Sequence, residues 1–132
     1  MSSIFTKIIN GEIPAYKIAE DANYYAFLDI NPLAKGHTLV IPKKEIDYIF
    51  DVDDQTLGGM MIFAKKVAKA IEKVIPCERI GVTVIGLEVP HAHIHLIPMN
   101  GIHDMEFSKP KLKLSQEEFL EISAKIKELV IL

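Results

Sequence analysis

The chain has a single cysteine, Cys77, so it cannot form an intramolecular disulfide or a Cys-rich zinc site. No stretch approaches the ~20 consecutive apolar residues that a membrane span needs. The opening residues, Met1 to Asn10, lack the long apolar core and cleavage site of a signal peptide. Together these absences predict a cytoplasmic protein with no membrane partner. There is no excess of basic charge either: 15 Lys and Arg face 18 Asp and Glu, a net charge of −3. A duplex-binding module usually shows a basic face, so a nucleic-acid partner is not expected. Internal repeats, low-complexity runs and linkers are also missing. What remains is 132 residues, 49% of them hydrophobic. That is enough for one core and leaves little for a second, which predicts one domain over residues 1–132.

Short strands and two long helices are expected. Tyr16–Ala19, the aromatic-rich Tyr24–Asp29, Gly36–Pro42 and Arg79–Ile85 read as strands. Phe5 to Asn10 reads as a helical turn closed by Gly11. Leu57, Met60, Met61, Ala64, Val67, Ala68, Ile71 and Val74 recur at helical spacing, with Asp53 or Asp54 as the cap and Pro76 as the stop. Both methionines are expected in the core. Gly58 and Gly59 fall in the first turns, where they weaken the helix or admit a close neighbour. Ile80, Val82 and Val84 form an apolar strand face, and Gly81, Thr83 and Ile85 a half-polar one. Such a strand is covered on both sides by its own fold or by a second subunit. Ser115-Gln-Glu-Glu118 has capping-box form and opens a helix with Phe119, Ile122, Ile126 and Leu129 on its stripe. Residues 100–114 show turn signals without periodicity and read as a loop with one extended piece.

Three of the five histidines lie in His91-Ala-His-Ile-His-Leu-Ile-Pro98. Imidazoles alternate with Ala92, Ile94 and Leu96, so a strand packs one face on the core and presents three imidazoles on the other. Two chemistries fit. Neighbouring histidines on one face, ~6.6 Å apart at Cα, can share a zinc; His91 and His95, ~13 Å apart, cannot easily do so. A third ligand would then come from His37, Glu88 or Asp104. Alternatively, a neutral imidazole attacks phosphorus, and its neighbours donate hydrogen bonds or relay protons. The central His93 suits the nucleophile.

The run His91–Ile97 resembles the His-x-His-x-His-x-x motif of the histidine-triad (HIT) superfamily. Gly36–Lys43, Ile4–Ala15 and Phe27–Pro32 resemble further signatures of its Hint-type branch, in the same order and spacing. The match runs from about Ile4 to Pro98, with the tail only loosely similar. The resemblance implies an α+β fold: an antiparallel sheet of about five strands, two main helices, and a homodimer that joins two sheets. It implies a core at about residues 4–98 and a C-terminal extension with a helix at about 115–130. It also implies a hydrolase or nucleotidyl transferase acting on the α-phosphate of purine nucleotides such as adenosine phosphoramidates, with no cofactor. By position His93 matches the nucleophile and His95 a phosphate contact, while His91 and His37 match the supporting network. Asp29 matches the carboxylate that accepts from the ribose hydroxyls. Phe5, Ile8, Phe27 and Ile30 match the walls around the base. An acidic group suits a diol, and an apolar pocket suits a flat base.

The sequence departs from that pattern in two places. Many bacterial members bind a structural zinc through soft ligands where this chain has Ser3, Thr6 and Glu45, so no zinc is expected here. Members also carry a hydroxyl residue just before the triad, where this chain has Gly86-Leu-Glu-Val-Pro90 with Glu88 at that position. A carboxylate there either repels the phosphate, acts as a protonated acid toward the leaving group, or points into solvent.

Overall fold

The computed structural model describes residues 2–132. Five strands form one antiparallel sheet: β1 (Lys17–Glu20), β2 (Tyr24–Leu28), β3 (Thr38–Pro42), β4 (Arg79–Thr83) and β5 (Ile94–Met99), in the spatial order β1-β2-β3-β5-β4. Three helices cover it: α1 (Ile4–Ile9), α2 (Asp54–Val74) and α3 (Gln116–Leu129). This is the α+β arrangement expected.

The alternation of side chains decides what each face holds. Tyr24, Ala26 and Leu28 of β2, Val40 of β3, and Ile94 and Leu96 of β5 face α2 and α3. There they meet Met60, Phe63, Val67 and Ile71, with Phe119 and Ile126. Tyr25, Phe27, Leu39 and Ile41 point the other way and pack under Phe5 and Ile8 of α1. The three central strands are therefore buried on both faces. Each large apolar side chain so buried contributes about 1.5–3 kcal/mol.

Asp53 caps α2, its carboxylate accepting from Thr56 N–H at 3.0 Å. Gly59 is the close-approach glycine: a Cβ there would lie 2.1 Å from the Tyr24 hydroxyl, which donates to the Thr56 carbonyl at 2.9 Å. Gly58 has open space instead. Met60 is in the core as expected, but Met61 is half exposed, because the helix turns it past the edge of the sheet. The capping box of α3 forms, Ser115 Oγ accepting from Glu118 N–H and Glu118 accepting from Ser115 N–H. Leu129, at the end of the apolar stripe of α3, is 38% exposed.

Three expectations shift. The strand at Arg79 ends at Thr83, so Val84 and Ile85 lie beyond the ladder. The histidine strand begins at Ile94, because His91 to His93 are bonded elsewhere: Ala92 N–H donates to the Ile46 carbonyl at 2.7 Å. The segment 100–114 contains a 3-10 turn at Ile102–Met105 in place of an extended piece. That turn docks on β4 through Gly81, where a Cβ would lie 2.2 Å from Met99 Sδ and 2.4 Å from Met105 Cε. The half-polar face of β4 is thus partly covered by the chain itself.

Candidate active site

His91, His93 and His95 project to the α1 side of the sheet, and all three are buried, as is His37. The imidazole face is therefore covered. Phe5 stands edge-on to His93 (centroids 5.0 Å apart), His91 (5.8 Å) and Phe27 (5.4 Å). His93 and His95 line a hollow of about 410 Å³, a size suited to a small ligand. Phe5, Ile8, Phe27 and Leu39 form its apolar lining. All four are both core and wall. Ile30 is exposed at 63% and contributes to the mouth.

The hydrogen bonds fix the tautomer of each ring. His91 Nε2 lies 2.8 Å from the Pro42 carbonyl, which only accepts, so Nε2 carries the proton. Its Nδ1 then accepts from the Ser3 hydroxyl at 2.8 Å. His93 Nδ1 lies 2.7 Å from the His91 carbonyl, so the proton sits on Nδ1 and Nε2 keeps its lone pair. His37 Nδ1 accepts the Leu33 N–H at 3.0 Å, so His37 Nε2–H donates to His95 Nδ1 at 3.0 Å. The proton of His95 is thereby placed on Nε2. Among the described residues, the Nε2 atoms of His93 and His95 bond to no protein group. No fully buried polar side-chain atom among the described residues is unpaired, so both atoms open onto the hollow. One presents a lone pair and the other an N–H.

Burial keeps these rings neutral. His37 is pushed down to about 3 by desolvation, then by the positive charge His95 or Lys111 would set against it. His95 falls to about 4 by desolvation and His93. His91 and His93 are also lowered, again chiefly by burial. Desolvation raises the Asp29 carboxyl above its ordinary value. Asp29 Oδ2 lies 3.5 Å from His37 Nε2, a contact without an ion pair because His37 is uncharged. Asp29 Oδ1 accepts from Asn31 N–H at 2.8 Å, so the residue both makes its turn and lines the hollow.

The metal alternative finds little support in this donor set. His91 has both nitrogens engaged. Asp104 lies outside the hollow lining and accepts from the Asn100 and Gly101 N–H groups. The cluster the fold does assemble is Asp29, His37 and His95, whose ligand atoms lie within 4.8 Å of one another. Within it, His37 accepts at Nδ1 and donates at Nε2. Binding a metal at Nε2 while keeping the Leu33 bond would require an imidazolate.

Ser3, Thr6 and Glu45 form a hydrogen-bonded set of their own. Thr6 Oγ1 and Ser3 N–H each donate to Glu45 Oε1 at 2.6 Å, which holds that exposed carboxyl at about 2. Ser3 Oγ, the cap of α1, accepts from Thr6 N–H and bonds His91. The start of α1 is thus tied to the histidine run through oxygen and nitrogen atoms alone.

Glu88 lines the same hollow and is exposed. Of the three roles open to it, solvent-facing, acid or repelling, its exposed place at the hollow supports repulsion of an anion. Replacing it by Ser or by Gln should therefore tighten binding of an anionic ligand and raise activity, about two- to fivefold at low salt. Titration calorimetry and initial rates check this. A lower maximal rate in Glu88→Gln alone would instead make it the acid.

Several residues of the wall were not foreseen, Leu39 among them, and two of these stand on the segment after β5. Phe107 packs edge-on to His95, with centroids 4.9 Å apart, and Lys111 lines the hollow beside it. The only signal was a lone aromatic in a polar, aperiodic segment.

Comparison with known proteins shows similarity along nearly the whole chain. Residues 10–102 match the HIT domain. An adenosine 5′-monophosphoramidase of Schizosaccharomyces pombe is 40% identical over 134 residues, covering 96% of this chain and 100% of that protein. An uncharacterised HIT-like protein of Borreliella burgdorferi is 39% identical over 131 residues, covering 93% and 94%. The crystal structure of a Hit-like protein from Bartonella henselae superposes with a TM-score of 0.83 at 34% identity, covering 97% and 96%. With residues 10–102 matching the family's domain and relatives aligned along nearly its whole length, this chain belongs to the HIT family.

Proposed function

We propose that the protein is a hydrolase or nucleotidyl transferase that acts on the α-phosphate of purine nucleotide derivatives, adenosine phosphoramidates among them, through a nucleotidyl-His93 intermediate. One observation carries the reading: the His93 Nε2 lone pair is unpaired and opens onto the hollow. Its similarity to a phosphoramidase supports the substrate class. Phe5, Ile8, Phe27 and Ile30 take the base, and the Asp29 carboxylate accepts from the ribose hydroxyls.

In the first step Nε2 forms a bond to phosphorus and the bond to the leaving group breaks. The departing nitrogen takes a proton from solvent at the open mouth. The imidazole becomes cationic, and the His91 carbonyl stabilises it by accepting the Nδ1–H. His95 Nε2–H donates to a phosphoryl oxygen, its orientation held by His37. In the second step water attacks phosphorus, the P–N bond breaks, and the electron pair returns to His93. The surplus proton of water goes to solvent, and the nucleoside monophosphate leaves. Rapid acid quench with a radiolabelled substrate should recover an acid-labile adduct on His93. Glu88 favours a second reading, a nucleotide-binding protein with feeble turnover, because an exposed carboxylate shares the hollow with the phosphate. Binding without any trapped adduct would select it.

We also read residues 1–132 as one domain, since Phe119 and Ile126 of the C-terminal helix share the core of the sheet. Among the described residues, no helix is long and apolar enough to cross a membrane.

A homodimer belongs to the same proposal. Strand β4 is an edge strand with its outer side unpaired. Its Val82 is exposed, and beside it Val84, Met61 and Phe50 are exposed around an open apolar hollow of about 580 Å³. A second copy, meeting β4 and α2 about a two-fold axis, would cover both. Light scattering at low micromolar concentration should give about twice 14.8 kDa. A clean monomer there would sink the idea.

A further inference from the structure

The hollow has a charge problem. Its histidines are neutral, and Asp29 and Glu88 both line it. A nucleotide brings further negative charge. Among the described lining residues the only lysine or arginine is Lys111. It arrives on a segment that the reaction scheme above leaves unused.

That segment, residues 100–112, is a strap folded over the His37–His95 pair. Asp104 closes its first turn by accepting from Asn100 and Gly101 N–H at 2.7 and 2.9 Å. Met105 anchors it against Gly81 of β4. Its far end is fixed by Leu112 N–H donating to the Pro32 carbonyl at 2.8 Å, next to the Asp29 turn. Between these anchors Phe107 meets His95 edge-on at 4.9 Å and His37 at 6.1 Å. The Lys111 ammonium sits 5.9 Å from the Phe107 centroid and donates to the Phe107 and Lys109 carbonyls. An ammonium has three donors, so two hold the strap and one remains.

We propose that Lys111 is a phosphate-binding residue of this site, its remaining N–H donating to a phosphate oxygen of the bound nucleotide. The inference rests on the nucleotide reading above and adds to it the group that recognises the anion. The two backbone bonds fix the ammonium before substrate arrives, so little side-chain freedom is lost on binding. Its charge also reaches the neighbours it would have to reach, opposing protonation of His37 and favouring ionised Asp29.

The test is calorimetric titration of AMP and of adenosine into the wild type, Lys111→Met and Lys111→Arg, at low and high salt. Lys111→Met should weaken AMP about tenfold, the lower end for a charge-assisted hydrogen bond, and reduce the salt dependence of AMP binding. Adenosine, which lacks the phosphate, should change less than twofold. Lys111→Arg should keep AMP within about threefold. Unchanged AMP affinity in Lys111→Met would overturn the proposal. Equal losses for AMP and adenosine would overturn it too, leaving Lys111 as a brace of the strap. A wild type that binds neither ligand would overturn the nucleotide reading, and this inference with it.

Discussion

Replacing His93 by alanine should lower turnover by at least about four orders of magnitude while nucleotide affinity stays within a few-fold of wild type. The two effects separate because the geometry separates them. The base contacts proposed for Phe5, Ile8 and Phe27 and the ribose contact of Asp29 do not pass through the His93 ring. The lone pair on Nε2 does not survive the substitution, and no neighbour can replace it. His95 has its proton on Nε2, fixed there by the donor His37. His91 has both nitrogens occupied and lies farther from the hollow. Single-turnover kinetics and an AMP titration on the same preparation make the measurement. His93→Ala removes one edge of the Phe5 contact, so a thermal melt should accompany it. Wild-type turnover in the variant would end the covalent reading.

How far this site could be read beforehand depended on the range of the interactions that build it. The alternation of His91 to Leu96 is local, and it correctly assigned the imidazoles to one face and Ile94 and Leu96 to the other. It could not say that α1 covers the imidazole face. It also set the strand three residues too early, because Ala92 is held by the Ile46 carbonyl, a partner remote in sequence. Helices α2 and α3 were legible from spacing and caps, whose signals lie within a turn or two. Met61 was misjudged because helical spacing does not show where the sheet ends. Asp29 also serves its own turn, with Oδ1 accepting from Asn31 N–H while Oδ2 stands 3.5 Å from His37 Nε2. Phe107 and Lys111 were invisible: the strap has no periodicity, and its docking depends on Pro32, Gly81 and His95, all distant in sequence.

The buried histidines also make the protein acid-sensitive. His37 and His95 have folded values of about 3 and 4, each below the ordinary 6.5 chiefly because the rings are buried. The unfolded chain therefore binds more protons than the folded one between pH 6.5 and about 4. Their stabilising contribution is complete above pH 6.5 and is lost as pH falls through that window. Each group sets a slope of about 1.4 kcal/mol per pH unit there, so the pair costs about 4 kcal/mol by pH 5 relative to pH 8. That is a large fraction of a stability of about 5–15 kcal/mol. His91 and His93 act in the same direction. Asp29 acts against them, since its raised value makes the folded state bind a proton more readily near pH 4. The lowered carboxyls of Glu20, Asp53 and Glu118 extend the loss only below about pH 4.5. Urea unfolding at fixed protein concentration from pH 8 to pH 4.5 should show the fall beginning near 6.5, well above the carboxylate range. In His37→Asn the side-chain oxygen can take over the acceptor role toward Leu33 N–H without titrating. That variant should lose about one proton from the slope. A flat profile between pH 6.5 and 5 in the wild type would mean that these rings are not held neutral, and the tautomer chain that leaves His93 Nε2 free would fall with it.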